Sequence, residues 1–282
     1  MGASADEALP QRLRTAFKRG GEMGRRMLEL DWAATPLGAP AAWPTELADV
    51  VATMLASKAQ IVLFWGDDHC ALYNDAYIPT MGSKHPGHLG RPGREMWPET
   101  WAVLQELFTG VKERDESFWA ADYLFMIERF GFLEETYFDI SYDPIRSADG
   151  AVGGVFCIVS DTTRRVLADR RVRTLSALGS RLADSPDQAV LGTQVAQVLG
   201  ENAADVPFAV LYLDDPAGGG EPAVAGVCGL EPTACRPLDP GVREVVAAVM
   251  RSDHEQTIAA TDVAHPPPSS AADQALVLPI GA

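Results

Sequence analysis

Apolar positions change period along this chain, and each change marks a predicted element. From Thr45, residues Leu47, Val50, Val51, Met54 and Leu55 recur at i, i+3, i+4, i+7 and i+8, the stripe of a helix that faces a core. After Ser57 the period shortens. Residues 61–65 are a short apolar run, Gly66-Asp67-Asp68 is a turn and residues 70–73 are a second run, which predicts a hairpin. Asn74 then stands where a helix N-cap belongs, and Gly82 where that short helix should end. Past a polar loop, residues 82–93, a helix is predicted through Trp101, Leu104, Leu107, Phe108 and Val111. Three strands follow. They are residues 118–127, residues 134–142 with Phe138, Ile140 and Tyr142 on one face, and residues 155–159 after the turn at Asp149-Gly150. Two strands, short helices and three strands predict an α+β domain: a five-stranded antiparallel sheet with helices on one face.

The flanks carry weaker patterns. Residues 11–26 mix Arg12, Leu13, Arg14, Phe17, Lys18 and Arg19; this fits an amphipathic surface helix, and a solvated basic arm is the preferred expectation. The segment Asp31-Trp32 … Thr35-Pro36-Leu37-Gly38 … Trp43-Pro44 has too many breakers for a helix and two tryptophans that favour burial, so an extended strap is expected. Residues 162–184 return to a helical period, with Val172, Leu175, Leu178 and Leu182 on one side and Arg164, Arg165, Arg170, Arg171 and Arg173 around the rest. So narrow an apolar stripe suits pairing with a partner helix. Beyond it a helix (189–199), strands (208–213 and 223–227), a helix (242–250) and a strand (275–280) are predicted. Residues 264–273, with a Pro-Pro-Pro-Ser-Ser run, are expected to be mobile. The expected organisation is an N-terminal helix and strap (1–44), a sheet domain (45–163), a linking helix (164–184) and a second domain (185–282).

Composition narrows the function classes. With 282 residues, 47% of them hydrophobic, the chain has material for two modest cores. A formal net charge of −16 argues against a nucleic-acid partner, because phosphate backbones demand a basic field. No signal-peptide apolar region and no run of 18 or more apolar residues is present, so a cytoplasmic chain without a membrane span is expected. Cys70, Cys157, Cys228 and Cys235 form no close metal-type pair and are expected to be reduced structural thiols. His85 and His88 lie in a Pro/Gly loop with no Cys or carboxylate motif beside them, which makes a metal site an unfavoured reading.

Residues 60–163 resemble a PAS domain. Leu72-Tyr73-Asn74-Asp75-Ala76-Tyr77 … Gly82 matches its strand-to-helix step, and Asp161-Thr162-Thr163-Arg164 its exit motif. The wider set Asp31-Trp32, Thr35-Pro36-Leu37-Gly38, Trp43-Pro44, Lys84-His85-Pro86, Leu89-Gly90-Arg91-Pro92 and Glu95-Met96-Trp97-Pro98-Glu99 resembles one group of PAS-GAF bacterial sensor histidine kinases and their relatives. Residues 170–282 resemble the first part of a GAF domain, through residues 205–212 and Leu276-Val277-Leu278-Pro279-Ile280. The resemblance implies a sensory input module of a cytoplasmic signalling protein, a homodimer, kinase or phosphatase domains downstream, and a GAF domain cut short at Ala282. A ligand-free dimerisation and protein-interaction scaffold is the alternative.

The resemblance also says which chemistry to look for. His254-Glu255 lacks the Arg-Thr-Pro that follows the phosphoacceptor of such kinases, and no ATP lobe follows, so no catalysis is expected in this chain. Light-sensing PAS relatives place a thiol in a Gly-Arg-Asn-Cys-Arg run; here the run is Gly90-Arg91-Pro92-Gly93-Arg94, which leaves no adduct-forming cysteine. Cys228 and Cys235 show no bilin-attachment context, and no histidine falls within the predicted core elements to ligate haem, so the cofactor is unknown. The remaining candidate is the hollow between sheet and helices, toward which Trp65, Tyr73, Tyr77, Trp97, Trp101, Phe125, Phe138 and Cys157 are candidates to point. Such rings ordinarily just fill a core; the functional reading is stacking on an apolar ligand.

Overall fold

The computed structural model describes residues 9–184, 188–214, 222–230, 240–252, 254–259 and 274–278. The chain divides into two compact units, Met1–Val166 and Leu167–Ala282.

The first unit opens with α1 (Gln11–Arg19) and α2 (Gly21–Glu29), then two 3-10 turns, Trp32–Ala34 and Pro40–Ala42, and α3 (Thr45–Ala56). Next come β1 (Gln60–Trp65) and β2 (Cys70–Tyr73), a 3-10 turn at Asp75–Tyr77, α4 (Ile78–Met81), a 3-10 turn at Gly82–Lys84, α5 (Gly93–Met96) and α6 (Trp101–Arg114). The unit closes with β3 (Phe118–Glu128), β4 (Leu133–Arg146) and β5 (Val152–Asp161). These strands form one antiparallel sheet in the order β2-β1-β5-β4-β3, so the predicted succession of two strands, helices and three strands is what folds. Alternation along β4 turns Phe138, Ile140 and Tyr142 inward, each under 5% exposed, onto Phe108 and Leu104 of α6.

The basic N-terminal segment departs from the solvated arm expected of it. Leu13, Phe17 and Met23 are fully buried and Met27 is 1% exposed. Gly20 and Gly21 break the segment into two short helices, and Gly21 takes φ +67 at the corner. Both helices then present apolar residues to the same core, while Arg12, Lys18, Arg19 and Arg25 are exposed and Arg14 and Arg26 are half-buried. The strap winds into 3-10 turns instead of lying extended: Trp32 and Trp43 meet edge to face at 4.8 Å, and their indole N–H groups donate to the carbonyls of Met27 and Gly38. The structural reason is local. An indole needs a hydrogen-bond partner when buried, and a turn supplies a carbonyl where an extended strap would not.

Helix α7 (Thr163–Asp184) runs from the first unit into the second. The second unit holds α8 (Gln188–Gly200), β6 (Ala209–Asp214), β7 (Pro222–Cys228), α9 (Pro240–Ser252), β8 (Gln256–Ala259) and β9 (Gln274–Val277). Among the described residues its strands make two separate two-stranded antiparallel sheets, β6-β7 and β8-β9. Helix α8 lies so close to β7 that a Cβ on Gly226 would fall 2.1 Å from the Gly192 carbonyl oxygen. Cys235, residues 264–273, Pro279 and Ile280 lie outside the described residues.

Candidate functional site

A cavity sits between the inner face of the sheet and the helices over it. Phe125 and Ile127 from β3, Phe138, Ile140 and Tyr142 from β4, and Val159 from β5 form its floor. Tyr77 and Thr80 on one side, and Trp97, Thr100 and Leu104 on the other, form its walls. About 30 Å³ is open to the centres of water molecules, room for about two waters, whereas a cavity that takes benzene measures about 150 Å³.

The lining contains no Asp, Glu, Lys, Arg or His. Desolvation pushes the Tyr77 hydroxyl well up from its ordinary range, partly offset by the hydrogen bond with Trp97, and desolvation likewise raises Tyr142. Both phenols are therefore neutral groups in the cavity. A charged occupant would find no counter-charge there, and an uncompensated buried charge is costly.

At the end of β3 the walls are tied down by ions. The Lys84 ammonium donates to Glu99 at 2.6 Å and to the Met96 carbonyl at 2.9 Å, and lies 4.3 Å from the centre of the Trp97 ring. Burial raises the Glu99 pKa, but bonds from the Glu128 amide and from Lys84 outweigh it and leave the carboxyl below its ordinary value. Next to Glu128, Arg129 pairs with Glu134 at 2.9 Å and with Asp161 at 3.0 Å.

Of the eight side chains the sequence nominates, Tyr77, Trp97, Phe125 and Phe138 line the cavity. The other four do not. Tyr73 is fully buried and its hydroxyl meets His85 Nδ1 at 3.0 Å, while His85 Nε2 reaches Glu22 of α2. Trp101 packs edge-on against His69 and Phe108. Trp65 is half-buried beside Gly153 and Gly154, and Cys157 is buried, with desolvation raising its thiol well above the ordinary range. Sequence reasoning missed Thr80, Thr100, Leu104, Ile127, Ile140, Tyr142 and Val159. The period-2 pattern that places Phe138 inward also places Ile140 and Tyr142 inward; the two threonines give no such signal.

One further expectation is corrected. Asn74 occupies an N-cap position but makes no cap hydrogen bond. Its amide is 1% exposed and stitches the N-terminal end of the sheet instead: Oδ1 accepts from the Ile61 amide, and Nδ2 donates to the carbonyls of Met54, Ser57 and Ala59. His69, half-buried in the turn between β1 and β2, stacks on Phe108 with ring centres 5.5 Å apart. Its burial lowers its pKa, and it is not among the cavity-lining residues. Gly93, where light-sensing relatives place a thiol, lies against the core, so that a Cβ there would meet Trp101 Cζ3 at 2.7 Å.

The exit from the sheet is the second feature of the site. A bulge between Ala120 and Tyr123 turns Asp122 to φ +50, so that its amide bonds Asp139 and its carboxylate takes Thr162 Oγ1 at 2.7 Å and Arg165. Asp161 Oδ1 accepts the Thr163 amide at 2.9 Å, and Thr163 Oγ1 accepts the Tyr137 amide at 2.9 Å. The first turn of α7 is thereby bonded to β3, β4 and β5 together.

No protein-family model matches the chain. Part of the chain aligns with solved structures. A sensory box sensor histidine kinase from Vibrio cholerae aligns at 18% identity, over 41% of this chain and 89% of that one, with a TM-score of 0.30. A PAS domain from Colwellia psychrerythraea aligns at 13% identity, over 42% of this chain and 98% of that one, with a TM-score of 0.33. Identities and scores this low carry no functional argument, which rests on the residues of this chain. Among the described residues no three His, Cys, Asp or Glu side chains are placed to hold a metal ion, and no helix is long and apolar enough to cross a membrane.

Proposed function

We propose that this chain is the sensory input region of a signal-transduction protein, a PAS domain followed by α7 as its output element and by a GAF-type domain, and that it acts as a homodimer. The observation that carries the reading is the exit of the sheet. Asp161, Thr162 and Thr163 bond the first turn of α7 to three strands, β3, β4 and β5, which also floor the cavity. A displacement of the sheet is then delivered to a helix, the kind of discrete element that switching proteins move. Kinase or phosphatase domains downstream would be the receivers.

The small volume of the cavity supports a second reading, the ligand-free scaffold, in which contacts with another protein move the sheet. Native mass spectrometry of the chain purified from its own cells separates the two. The sensory reading expects a stoichiometric small molecule that is lost when Leu104→Trp fills the cavity; bare protein at the sequence mass is the result expected of the scaffold.

A further inference from the structure

We propose that the free edge of β3 pairs with β3 of a second copy, antiparallel about a two-fold axis at Phe125, an inference that rests on the reading of the chain as a homodimer. β3 ends the sheet order, so among the described residues no strand lies on its outer side. Its segment Tyr123-Leu124-Phe125-Met126-Ile127 holds neither a charge nor a proline, the residues with which proteins ordinarily blunt such an edge.

The hydrogen bonds of β4 fix which groups the edge offers. Tyr137, opposite Leu124, donates its amide to Thr163 Oγ1 at 2.9 Å, and its carbonyl accepts the Thr162 amide at 2.8 Å, so Leu124 and Tyr137 are a non-hydrogen-bonded pair of the ladder. Alternation along an antiparallel ladder then turns the N–H and C=O of Leu124 and Met126 away from β4. The Glu128 amide points the same way and is taken by Glu99 at 2.7 Å. Among the described residues no backbone bond from beyond β4 reaches Leu124 or Met126.

On either side of these residues the edge is closed. The bulge between Ala120 and Tyr123 holds Asp122 at φ +50 with its amide on Asp139, and at the other end the Arg129 carbonyl accepts the Ser83 amide. A window from Leu124 to Met126 stays open, and the side chains of Leu124 and Met126 are 46% and 39% exposed on the outer face of the sheet.

That window is complementary to itself. Turned about Phe125, it sets Leu124 against Met126 of the second copy and Met126 against Leu124 of the second copy, and in each pair both residues donate an N–H and accept one. The same turn lays the exposed Leu124 and Met126 side chains against each other. A two-fold interface must match itself, and two identical antiparallel strands do so by construction, which favours a second copy over an unrelated peptide. The dimer also needs more surface than α7 supplies: a stable interface draws on about 20–30 residues a side, whereas the large apolar side chains exposed on α7 are Val172, Leu175 and Leu182. Phe125, at the axis, lines the cavity, so the strand that floors the cavity is also the strand that meets the partner.

Sedimentation of two double variants of the whole chain tests the register. Both positions are exposed, so the core is left alone. Leu124→Lys with Met126→Lys places like charges opposite each other and should weaken the dimer about ten-fold or more; Leu124→Lys with Met126→Glu places opposite charges there and should dimerise about five-fold or more tighter than the first variant. Equal losses in the two variants overturn the pairing of Leu124 with Met126, and parent-like dimers in both overturn any role of the edge; either result leaves the homodimer standing. A wild-type monomer at tens of micromolar overturns homodimer and edge together. Hydrogen exchange of the unaltered chain decides the matter if a variant does not fold: the Leu124 and Met126 amides should exchange about five-fold or more slowly in the dimer than after dilution to monomer, and equal rates overturn the pairing.

Discussion

At the scale of single residues, Asn74 shows how much burial changes the meaning of a side chain. A cap on a helix end is worth roughly 0.5–2 kcal/mol, because water replaces it when it is lost. Asn74 bonds one amide and three carbonyls at 1% exposure, and no water replaces those bonds without a cavity large enough to admit it. Asn74→Ala should therefore destabilise the first unit by about 3 kcal/mol or more, since each orphaned buried group costs about 1–3 kcal/mol. Urea unfolding followed by tryptophan fluorescence checks this; a loss below about 1 kcal/mol would return Asn74 to the ordinary cap its position suggests. The position of Asn74 between strand and turn was legible in the sequence. Its partners were not, because Met54, Ser57, Ala59 and Ile61 come together only when α3 packs on the hairpin.

At the scale of elements, the N-terminal pair α1–α2 is part of the core. Phe17 lies against Trp43 with ring centres 6.4 Å apart and is fully buried, and Asp75, in the turn after β2, accepts the amides of Glu22 and Met23 at the start of α2. A carboxylate at a helix N-terminus satisfies free N–H groups and meets the positive end of the helix dipole. Phe17→Ala should cost about 3–5 kcal/mol, the usual loss for truncating a buried phenylalanine. The expected observation is a lowered midpoint for the cooperative unfolding of the sheet; an unchanged midpoint would mean that α1 frays independently. Basic residues between the apolar ones hid this element, since a stripe of Leu13, Phe17, Met23 and Met27 is continuous only after the Gly20-Gly21 corner folds it.

At the scale of the whole molecule, α7 is the element that begins in the first unit and continues into the second. Within the second unit, Arg170 forms a two-pronged pair with Asp205, which holds that carboxyl below its ordinary value, and Asn202 bridges Asp205 to Thr174. Arg170 is thus engaged within its own chain. On the apolar stripe, Val172 is 60%, Leu175 67% and Leu182 48% exposed, whereas Leu178 is half-buried. Val172→Glu with Leu175→Glu is then the informative pair, because it charges the exposed seam without disturbing the packing of Leu178. Sedimentation at tens of micromolar should show a wild-type dimer and a variant shifted toward monomer, with the unfolding midpoint unchanged. A dimer as tight in the variant as in the parent would remove α7 from the interface.

Local patterning was enough to place α3, the β1–β2 hairpin, α6 and strands β3 to β5 of the first unit. Period-2 runs, a hairpin with a short turn and amphipathic stripes follow from the local geometry of strands and helices, which depends on the side chains of one segment at a time. It also settled the inward face of β4. Tertiary structure decided what no single segment contains: the burial of α1–α2, the partners of Asn74, the uncharged lining of the cavity and the shared carboxylate of Asp161. Each of these depends on residues 12 or more positions apart meeting, and hydrogen bonds and ion pairs act only at contact, so their energies appear once packing has placed both partners.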